Sequence, residues 1–272
     1  MRATLSASDP FTLVTNSPGL GLIPSYYNTD SKAAVALDLT KNNCVLVVFG
    51  ESHSASICPT AYTPANSHVL NFCIQNGGTY ALTDPPLGCT YNGAPYGPGN
   101  AYSRLADAVQ GTGKYDNTIL VSAGLSGTTI TQWGTDLFTR IGPTFRRLSS
   151  RGLTATAAVI HIGSNDCGQG TSQAAYAIQQ ANFIALVRGA GYAGPIFLVK
   201  NTMSGGITSS GIQAAQTGAV YHPAGIWLGG DCDSLTVAAG YRQTDQTHLN
   251  DAGAAALAAL NLAALQAAGI AV

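Results

Sequence analysis

A serine, a histidine and an aspartate with the spacing of a hydrolytic site lie near opposite ends of the sequence. Ser52 lies in FGESHSA (49–55), directly after an apolar run typical of a β-strand. Asp245 and His248 lie three residues apart in TDQTHLNDAG (244–253), at the predicted start of the last helix. A histidine can take the proton of a serine hydroxyl when a carboxylate holds its far ring nitrogen. These residue types therefore predict nucleophilic acyl chemistry.

Each of the two segments also has a simpler explanation. The serine pattern G-x-S-x-G of α/β-hydrolases fails, because Ser54 stands where the last glycine is required. Ser52 alone could be an ordinary turn serine. Likewise, Asn250 or Asp251 could cap a helix beside an incidental surface histidine.

Two further segments could supply hydrogen-bond donors to the same place. The segments AGLSGTTITQWG (123–134) and IGSNDCG (162–168) each follow a predicted strand. The carboxyl ends of parallel strands share one sheet edge, where α/β folds bind ligands. Backbone N–H groups, such as that of Gly127, and the Asn165 amide are the donors that an oxyanion hole requires. The alternative is two ordinary strand–helix turns, because glycine and asparagine are common in turns.

The elements that must position these residues alternate along the chain, which predicts an α/β fold. Continuous apolar runs favour strands buried on both faces of a parallel sheet. We expect a three-layer α/β/α sandwich with a mainly parallel sheet of about five strands. The predicted strands are Cys44–Phe49, Thr118–Ser122, Ala157–Ile162, Ile196–Lys200 and a weaker Ile226–Leu228. The predicted helices are Ala101–Val109, Ile130–Leu148 (broken or kinked at Pro143), Ser172–Arg188, Ser209–Gln216 and Asp251–Ala268.

Residues 55–100 interrupt this alternation. The stretch is rich in proline, glycine and tyrosine and contains three of the six cysteines. Such a composition predicts a long loop excursion between two sheet strands. We see no linker or internal repeat, so residues 1–272 are predicted to form a single domain.

The composition excludes some partners and favours one location. Only 9% of residues are charged and the formal net charge is −1, so no nucleic-acid-binding surface is expected. No apolar run of about 18 residues predicts a membrane span. The N-terminal MRATLSASDPF lacks the apolar core of a signal peptide, so the chain is expected to be either cytoplasmic or a mature form. Low charge, few lysines and loop cysteines favour a secreted or extracytoplasmic location.

The six cysteines leave their pairing open. Their even number allows three disulfides in 15 combinations, and the sequence does not choose among them. The alternative is that several are small buried apolar residues, as we expect for Cys44. No two have C-x-x-C spacing, so no metal site is predicted.

Together, the four segments in this order resemble the SGNH hydrolase superfamily, the GDSL-like esterases. The resemblance implies Ser52 as the nucleophile, His248 as the base and Asp245 as the residue that orients the base. It implies an oxyanion hole of the Ser52 and Gly127 N–H groups and the Asn165 side chain. No metal or organic cofactor is implied.

The sequence departs from the usual pattern at two positions beside Ser52. Relatives carry Asp before the serine, where this chain has Glu51, and His53 replaces the usual Leu. Glu51 is the only glutamate among 13 acidic residues. Its carboxylate would oppose negative charge in an oxyanion hole, so we expect it to point away and brace the turn that presents Ser52. We also expect Asp166 to brace its own loop, and Asp231 and Asp233 to be solvated turn residues.

One branch of the superfamily suggests a substrate. The segments GPGNAYSRLADAV (97–109) and SAGLSGTTITQW (122–133) are similar to the carbohydrate-esterase and sialate O-acetylesterase branch, although GSND stands where Gln-Gly-Glu is usual. This likeness implies hydrolysis of short acyl esters, above all acetyl esters, on carbohydrate or small molecules. Candidate substrate contacts are His53 and Trp133, with loop tyrosines at 62, 80, 91 and 96 as possible aromatic walls. The alternative for the loop tyrosines is that they pack the excursion itself.

Two other functions remain open from the sequence. One is a lipase- or thioesterase-like hydrolase of longer acyl chains. The other is a non-catalytic carbohydrate-binding module on the same fold, against which the complete set of Ser52, Asp245 and His248 argues. The sequence gives no indication of the oligomeric state.

Overall fold

The computed structural model describes residue 29 and residues 31–90 and 97–272. Tyr91, Tyr96 and the N-terminal segment considered as a signal peptide lie outside the described residues. Among the described residues the sheet has seven strands: β1 (Asn43–Gly50), β2 (Val69–Phe72), β3 (Thr79–Ala81), β4 (Asn117–Ser122), β5 (Ala157–His161), β6 (Ile196–Lys200) and β7 (Ile226–Asp231).

The first strand lies in the middle of a mainly parallel sheet. The strand order is β3-β2-β4-β1-β5-β6-β7, and only the pairing of β2 with β3 is antiparallel. Val47 of β1 pairs with Val121 of β4 on one side and with Ala158 of β5 on the other. The carboxyl ends of β4, β1 and β5 therefore lie side by side, as the sequence predicted.

Helices cover both faces of the sheet. They are α1 (Ala101–Gly111), α2 (Ile130–Thr135), α3 (Phe138–Ser150), α4 (Ser164–Gly168), α5 (Gln173–Gly189), α6 (Ser210–Gly218) and α7 (Asp251–Ala267). Side chains alternate along β1, so that Val47 and Phe49 join one core and Leu46 and Val48 join the other. The first core includes buried residues of α2, α3, α5 and α6, and the second includes those of α1 and α7. The predicted three-layer α/β/α sandwich is confirmed.

The predicted number of strands is wrong, because the 55–100 excursion adds β2 and β3 to the sheet. Asn71, in the middle of β2, is buried and its side chain accepts a hydrogen bond from Leu87 N at 2.5 Å and donates to Leu120 O at 3.0 Å. The sequence did not predict these strands because each has only three or four residues and β2 contains a polar asparagine. Neither strand is therefore a continuous apolar run.

The predicted helix Ile130–Leu148 is two helices, and the break is not at Pro143. The backbone N–H groups of Asp136 and Leu137 both donate to Gln132 O at 2.8 Å, which ends α2. Pro143 lies inside α3. The chain turns seven residues earlier than the proline suggested.

All six cysteines lie within the described part of the chain, and there they are free thiols. Five are buried, including Cys44 and Cys232, which belong to the core that α1 and α7 cover. The structure therefore does not contain the disulfides that their even number allowed. It agrees instead with the alternative, in which cysteine serves as a small apolar core residue. The predicted extracytoplasmic location remains a prediction.

Within residues 31–90 and 97–272, no helix combines the length and the apolar character needed to cross a bilayer.

Candidate active site

Ser52 begins a short 3₁₀ turn, Ser52–Ser54, at the carboxyl end of β1. Gly50 ends the strand with φ +132°, and a Cβ there would lie 2.0 Å from the carbonyl oxygen of His161. Only glycine allows the two backbones to approach so closely. The Ser54 hydroxyl donates to Glu51 O at 2.6 Å and stabilises the turn. Ser52 itself keeps only 5% of its surface exposed.

The structure brings Ser52, His248 and Asp245 together in one line of hydrogen bonds. His248 Nε2 lies 3.0 Å from Ser52 Oγ, and His248 Nδ1 lies 2.6 Å from Asp245 Oδ2. The other oxygen, Asp245 Oδ1, accepts the backbone N–H groups of Thr247 and His248, each at 2.9 Å. The aspartate thus shapes the turn and also holds the imidazole, as the D-x-x-H spacing predicted.

The surroundings of His248 and Asp245 favour a neutral His248 imidazole beside an ionised Asp245 carboxylate. Burial, with the nearby Arg242 guanidinium, lowers the pKa of His248 below its ordinary value, although Asp245 opposes the shift. Burial raises the pKa of Asp245, but hydrogen bonds from the side chain and backbone of His248 outweigh it and leave that pKa below the ordinary value. A neutral His248 with its proton on Nδ1 can accept the proton of Ser52.

The predicted oxyanion donors lie at the ends of the two strands that flank β1. Leu125 N donates to Gly50 O at 2.8 Å, which fastens the loop containing Gly127 to the end of β1. Gly127 has φ +79°, in the left-handed region that favours glycine. Asn165 Nδ2 donates to Thr128 O at 3.1 Å, so the amide lies against the same loop. Because an amide carries two N–H donors, Asn165 retains a second one.

The backbone N–H groups of Ser52 and Gly127 have no hydrogen-bond partner within the described residues. Together with the second N–H of Asn165, they give the site three donors available to a ligand. Preorganised donors of this kind can stabilise a developing oxyanion.

Glu51 points away from these donors and braces the third loop. Its Oε1 accepts from Gly163 N, Ser164 N, Ser164 Oγ and Asn201 Nδ2 at 2.6–3.0 Å. Its Oε2 accepts from Asn165 N at 3.0 Å. Complete burial raises the pKa of Glu51 to about 7, against these hydrogen bonds, which favour the charged form. The carboxylate points away from the donors as expected, and its hydrogen bonds link the Ser52 turn to the segment of Asn165.

Trp133 and His53 are buried, which contradicts their prediction as substrate contacts. Trp133 is fully buried, its ring stacks on Phe183 at 5.1 Å, and its Nε1 donates to Thr128 Oγ1 at 2.9 Å. His53 is 2% exposed and its ring lies between those of His161 and His248. Both side chains support the site from within the protein.

Of the two described loop tyrosines, Tyr62 lies against helix α1 and Tyr80 packs within the excursion. The hydroxyl of Tyr62 donates to Asp107 at 2.5 Å, and the Arg104 guanidinium lies over the Tyr62 ring. Tyr80 is buried beside Cys73 and Leu87. The packing of Tyr80 agrees with the alternative that the sequence left open.

Of the other acidic residues, Asp166 has the expected role and Asp233 does not. Asp166 Oδ2 accepts from Ile130 N at 2.9 Å and so holds the first residue of α2. Asp233 is buried and accepts from Thr202 N, Thr202 Oγ1, Met203 N and Gln213 Nε2 at 2.6–2.9 Å. The prediction of a solvated turn residue is therefore wrong for Asp233. No group of three His, Cys, Asp or Glu side chains among the described residues is arranged to hold a metal ion.

Sequence reasoning missed two residues of the site, Arg242 and Asn201. The Arg242 guanidinium is buried beside His53, and Asn201 donates to Glu51 from the residue after β6. Neither belongs to a motif with a characteristic spacing. Only the preference of a buried charge or amide for partners could have indicated them, and that requires knowledge of the fold.

Comparison with solved structures identifies proteins with the same fold. A protein of Arabidopsis thaliana shares 18% identity with this chain at a TM-score of 0.67, over 84% of this chain and 98% of the other. NanS shares 14% identity at a TM-score of 0.55, over 83% and 97%. A structure named as a GDSL-like lipase, from Parabacteroides merdae, shares 15% identity at a TM-score of 0.51, over 85% and 97%. The fold that the SGNH resemblance implied is confirmed.

No protein-family model matches the sequence, and no curated protein is significantly similar to it.

Proposed function

We propose that this protein is a carboxylic ester hydrolase that uses Ser52 as its nucleophile. The observation that carries the proposal is the continuous hydrogen-bonded line from Asp245 through His248 to Ser52, at 2.6 and 3.0 Å. The fold shared with the structure named as a GDSL-like lipase supports the same chemistry.

In the proposed reaction Ser52 Oγ attacks the ester carbonyl carbon while His248 Nε2 takes the hydroxyl proton. Asp245 stabilises the resulting imidazolium and keeps its ring in place. His248 then gives the proton to the leaving alcohol, which departs and leaves an acyl group on Ser52. A water molecule attacks the acyl-enzyme while His248 takes its proton; the intermediate then collapses to the carboxylic acid, and His248 returns the proton to the departing Ser52 Oγ.

The negative charge that develops on the carbonyl oxygen needs donors that exist before the reaction. The N–H groups of Ser52 and Gly127 and the second N–H of Asn165 fill this role in the proposal. Removing one such donor in other hydrolases costs roughly 10²–10³-fold in kcat. The anchoring of Asn165 by Glu51 and Thr128 supports preorganisation of this third donor.

We propose short acyl groups, above all acetyl, as the group that is removed. Ser52 and His248 are only 5% and 8% exposed, so the opening above the reacting atoms is small. A small opening accommodates an acetyl group more easily than a long chain.

For the alcohol, we propose a neutral carbohydrate. A cavity of about 520 Å³ lies outside the ends of β6 and β7, on the edge of the sheet that carries Ser52. Its polar lining includes Thr208, Gln213, Ser234 and the ion pair of Lys200 with Asp231. Hydroxyl, amide and paired charged groups suit a ligand with many hydroxyl groups.

The proposed location of the enzyme remains outside the cytoplasm.

The test is turnover of p-nitrophenyl esters from C2 to C12, with Ser52→Ala as the inactive control and Ser54→Ala as the matched control. We expect kcat/KM to be highest at C2–C4, to vanish in Ser52→Ala and to persist in Ser54→Ala. A maximum at C8 or above would instead favour the longer-chain hydrolase. Absence of turnover on all esters would favour the non-catalytic module.

A second set of substrates tests the carbohydrate. The kcat/KM for p-nitrophenyl acetate must first be corrected for the greater reactivity of its leaving group. We expect the kcat/KM for acetylated xylo-oligosaccharides to be higher than this corrected value. Equal or lower values would contradict the carbohydrate part of the proposal and leave the esterase part intact.

A further inference from the structure

Three histidine rings form a buried column beneath the proposed nucleophile. The centroid of the His53 ring lies 5.0 Å from that of His161 and 5.5 Å from that of His248. Tyr102 closes the far end of the column, with its hydroxyl 2.8 Å from His161 Nδ1. All four side chains are buried. The proposed reaction uses only His248, so the other rings need a separate explanation.

Arg242 supplies a positive charge at the side of this column. Its guanidinium donates to three carbonyl oxygens on two separate turns, those of Cys232 and Leu235 on one and that of Thr247 on the other. The bond to Thr247 O, at 2.6 Å, holds the turn between Asp245 and His248 from the inside. The bonds to Leu235 and Cys232 join that turn to the segment that follows β7.

The same guanidinium contacts His53, with Nη1 3.3 Å from His53 Nε2. A guanidinium can only donate, so a hydrogen bond at this contact requires a neutral His53 ring with Nε2 as the acceptor. Burial, together with His161, Arg242 and His248, lowers the pKa of His53 well below the ordinary value, in agreement with this assignment. Arg242 therefore contacts both the turn that carries His248 and the His53 ring that packs against His248.

Within the described residues, few charged and titratable groups surround His248. Asp245 lies at Nδ1, Ser52 lies at Nε2, and His53 with Arg242 lies on the buried side. Asp245 favours the protonated imidazole and the Arg242 charge opposes it. Burial, which lowers the pKa of His248, acts together with these two opposing charges to set the pH at which His248 becomes a base.

We infer that Arg242 is a positioning residue for His248, which it serves through His53 and the Thr247 carbonyl, and that its nearby positive charge disfavours the protonated form of His248. The inference rests on the proposed function only where it concerns turnover. Its electrostatic part concerns the titration of His248, which is measurable without any substrate.

The direct test is an NMR titration of the His248 ring in the Ser52→Ala protein, with and without Arg242→Gln. Loss of a buried neighbouring cation should raise the pKa of His248 by about one unit. Arg188→Gln is the matched control, because Arg188 also donates to three carbonyl oxygens, those of Tyr192, Gly194 and Ala224, but makes no contact with the site. An Arg242→Gln shift no larger than that of Arg188→Gln would overturn the electrostatic part.

Two further variants separate charge from position. Arg242→Lys keeps the charge but loses the planar fork, so it should restore the wild-type pKa of His248 while lowering thermal stability. It also provides the comparison if Arg242→Gln does not fold, since a raised His248 pKa in the Arg242→Lys protein would contradict the inference. His53→Phe keeps a ring in the column but removes the acceptor for Arg242. We expect it to lower kcat at least tenfold at pH 8, and an unchanged kcat would overturn the positioning part.

The outcomes distinguish this inference from the proposed function. If the wild-type protein hydrolyses no ester, the proposed function fails, and the NMR comparison still decides on the electrostatic role of Arg242. If the wild-type protein hydrolyses esters and the pKa of His248 is the same with and without Arg242, the inference fails and the proposed function stands. Arg242 is not among the groups that shift the pKa of Glu51, so in profiles of kcat against pH we expect a displaced acidic limb between wild type and Arg242→Gln to report on His248.

Discussion

The carboxylate of Glu51 accepts a hydrogen bond of 3.0 Å from the backbone N–H of Asn165. This bond joins the residue before the proposed nucleophile to the residue whose amide is a proposed oxyanion donor. Ser52 and Asn165 follow different strands: Ser52 begins the 3₁₀ turn after β1, and Asn165 lies in α4 after β5. A single buried side chain thus couples the positions of two groups that must act on the same carbonyl.

Glu51→Gln should disturb this bond and leave the others of Glu51 in place. The glutamine oxygen can accept the four donors of Oε1, but its NH₂ group then faces the N–H of Asn165. Two donors facing each other in the protein interior cost about 1–3 kcal/mol. We expect kcat to fall at least tenfold with a small change in KM, measured on p-nitrophenyl acetate.

The control for Glu51→Gln is Asp107→Asn. Asp107 also accepts a cluster of donors, including Tyr62 Oη and Ala65 N, but it braces the excursion away from the site. Its replacement should lower the free energy of unfolding and leave kcat unchanged. A Glu51→Gln protein with wild-type kcat would contradict the coupling role.

The free energy of unfolding should depend on pH because of the titration of Glu51. Burial raises its pKa from 4.5 to about 7 in the folded protein. Between these values the folded state keeps a proton that the unfolded state has released, so the contribution of Glu51 to stability is complete below pH 4.5 and is lost as the pH rises through about 7. The free energy of unfolding of wild type relative to Glu51→Gln should therefore fall by up to about 3 kcal/mol between pH 4.5 and 8. Urea unfolding at both pH values measures it, and a difference independent of pH would refute the shifted pKa.

Asp245→Asn should leave the turn intact and abolish the base. The asparagine oxygen can still accept the N–H groups of Thr247 and His248, but its NH₂ group would face His248 Nδ1. The imidazole would then carry its proton on Nε2, where it cannot accept the proton of Ser52. We expect kcat to fall by roughly 10³–10⁴-fold.

Asp251→Asn is the matched control for that loss. Asp251 lies three residues after His248 and pairs with Arg104 at the surface. Its replacement should change kcat by less than about twofold, because exposed ion pairs contribute little. If Asp245→Asn kept more than a tenth of wild-type kcat, Asp245 would not be the orienting group.

Trp133 should prove to be a core residue rather than a substrate contact. Trp133→Ala removes a ring packed against Phe49 and Phe183 and should cost about 3–5 kcal/mol of unfolding free energy. Trp133→Phe should cost less and should leave KM for acetyl esters within about twofold of wild type. Trp227→Phe, at the only other tryptophan, is the control. A tenfold rise in KM for Trp133→Phe without loss of stability would restore the substrate-contact hypothesis.

The sequence was sufficient for the central sheet and for the residues proposed to react. The strands β1, β4, β5 and β6 are continuous apolar runs, because each is buried on both faces. Asp245 and His248 were recognisable because their interaction is local and needs only a three-residue spacing. Ser52 and Asn165 followed from the rule that parallel strands end at one edge of the sheet.

The remaining features depend on contacts between distant residues. The strand β2 contains the polar Asn71, which is tolerated only because Leu87 and Leu120 supply its partners. Arg242 and Asp233 are charged residues that become internal only when their partners surround them. Trp133 was misassigned because an aromatic residue after a glycine loop has the same appearance in sequence whether it faces a ligand or the core.

The most direct test of the proposed nucleophile is covalent labelling with an alkyl fluorophosphonate, in which Ser52 Oγ would displace fluoride from phosphorus. Peptide mass spectrometry of the wild-type protein should locate one phosphonyl group on Ser52. The Ser52→Ala protein should stay unlabelled, and Asp245→Asn should react much more slowly. Labelling at a different residue, or equal labelling of Ser52→Ala, would contradict the assignment of Ser52 as the nucleophile.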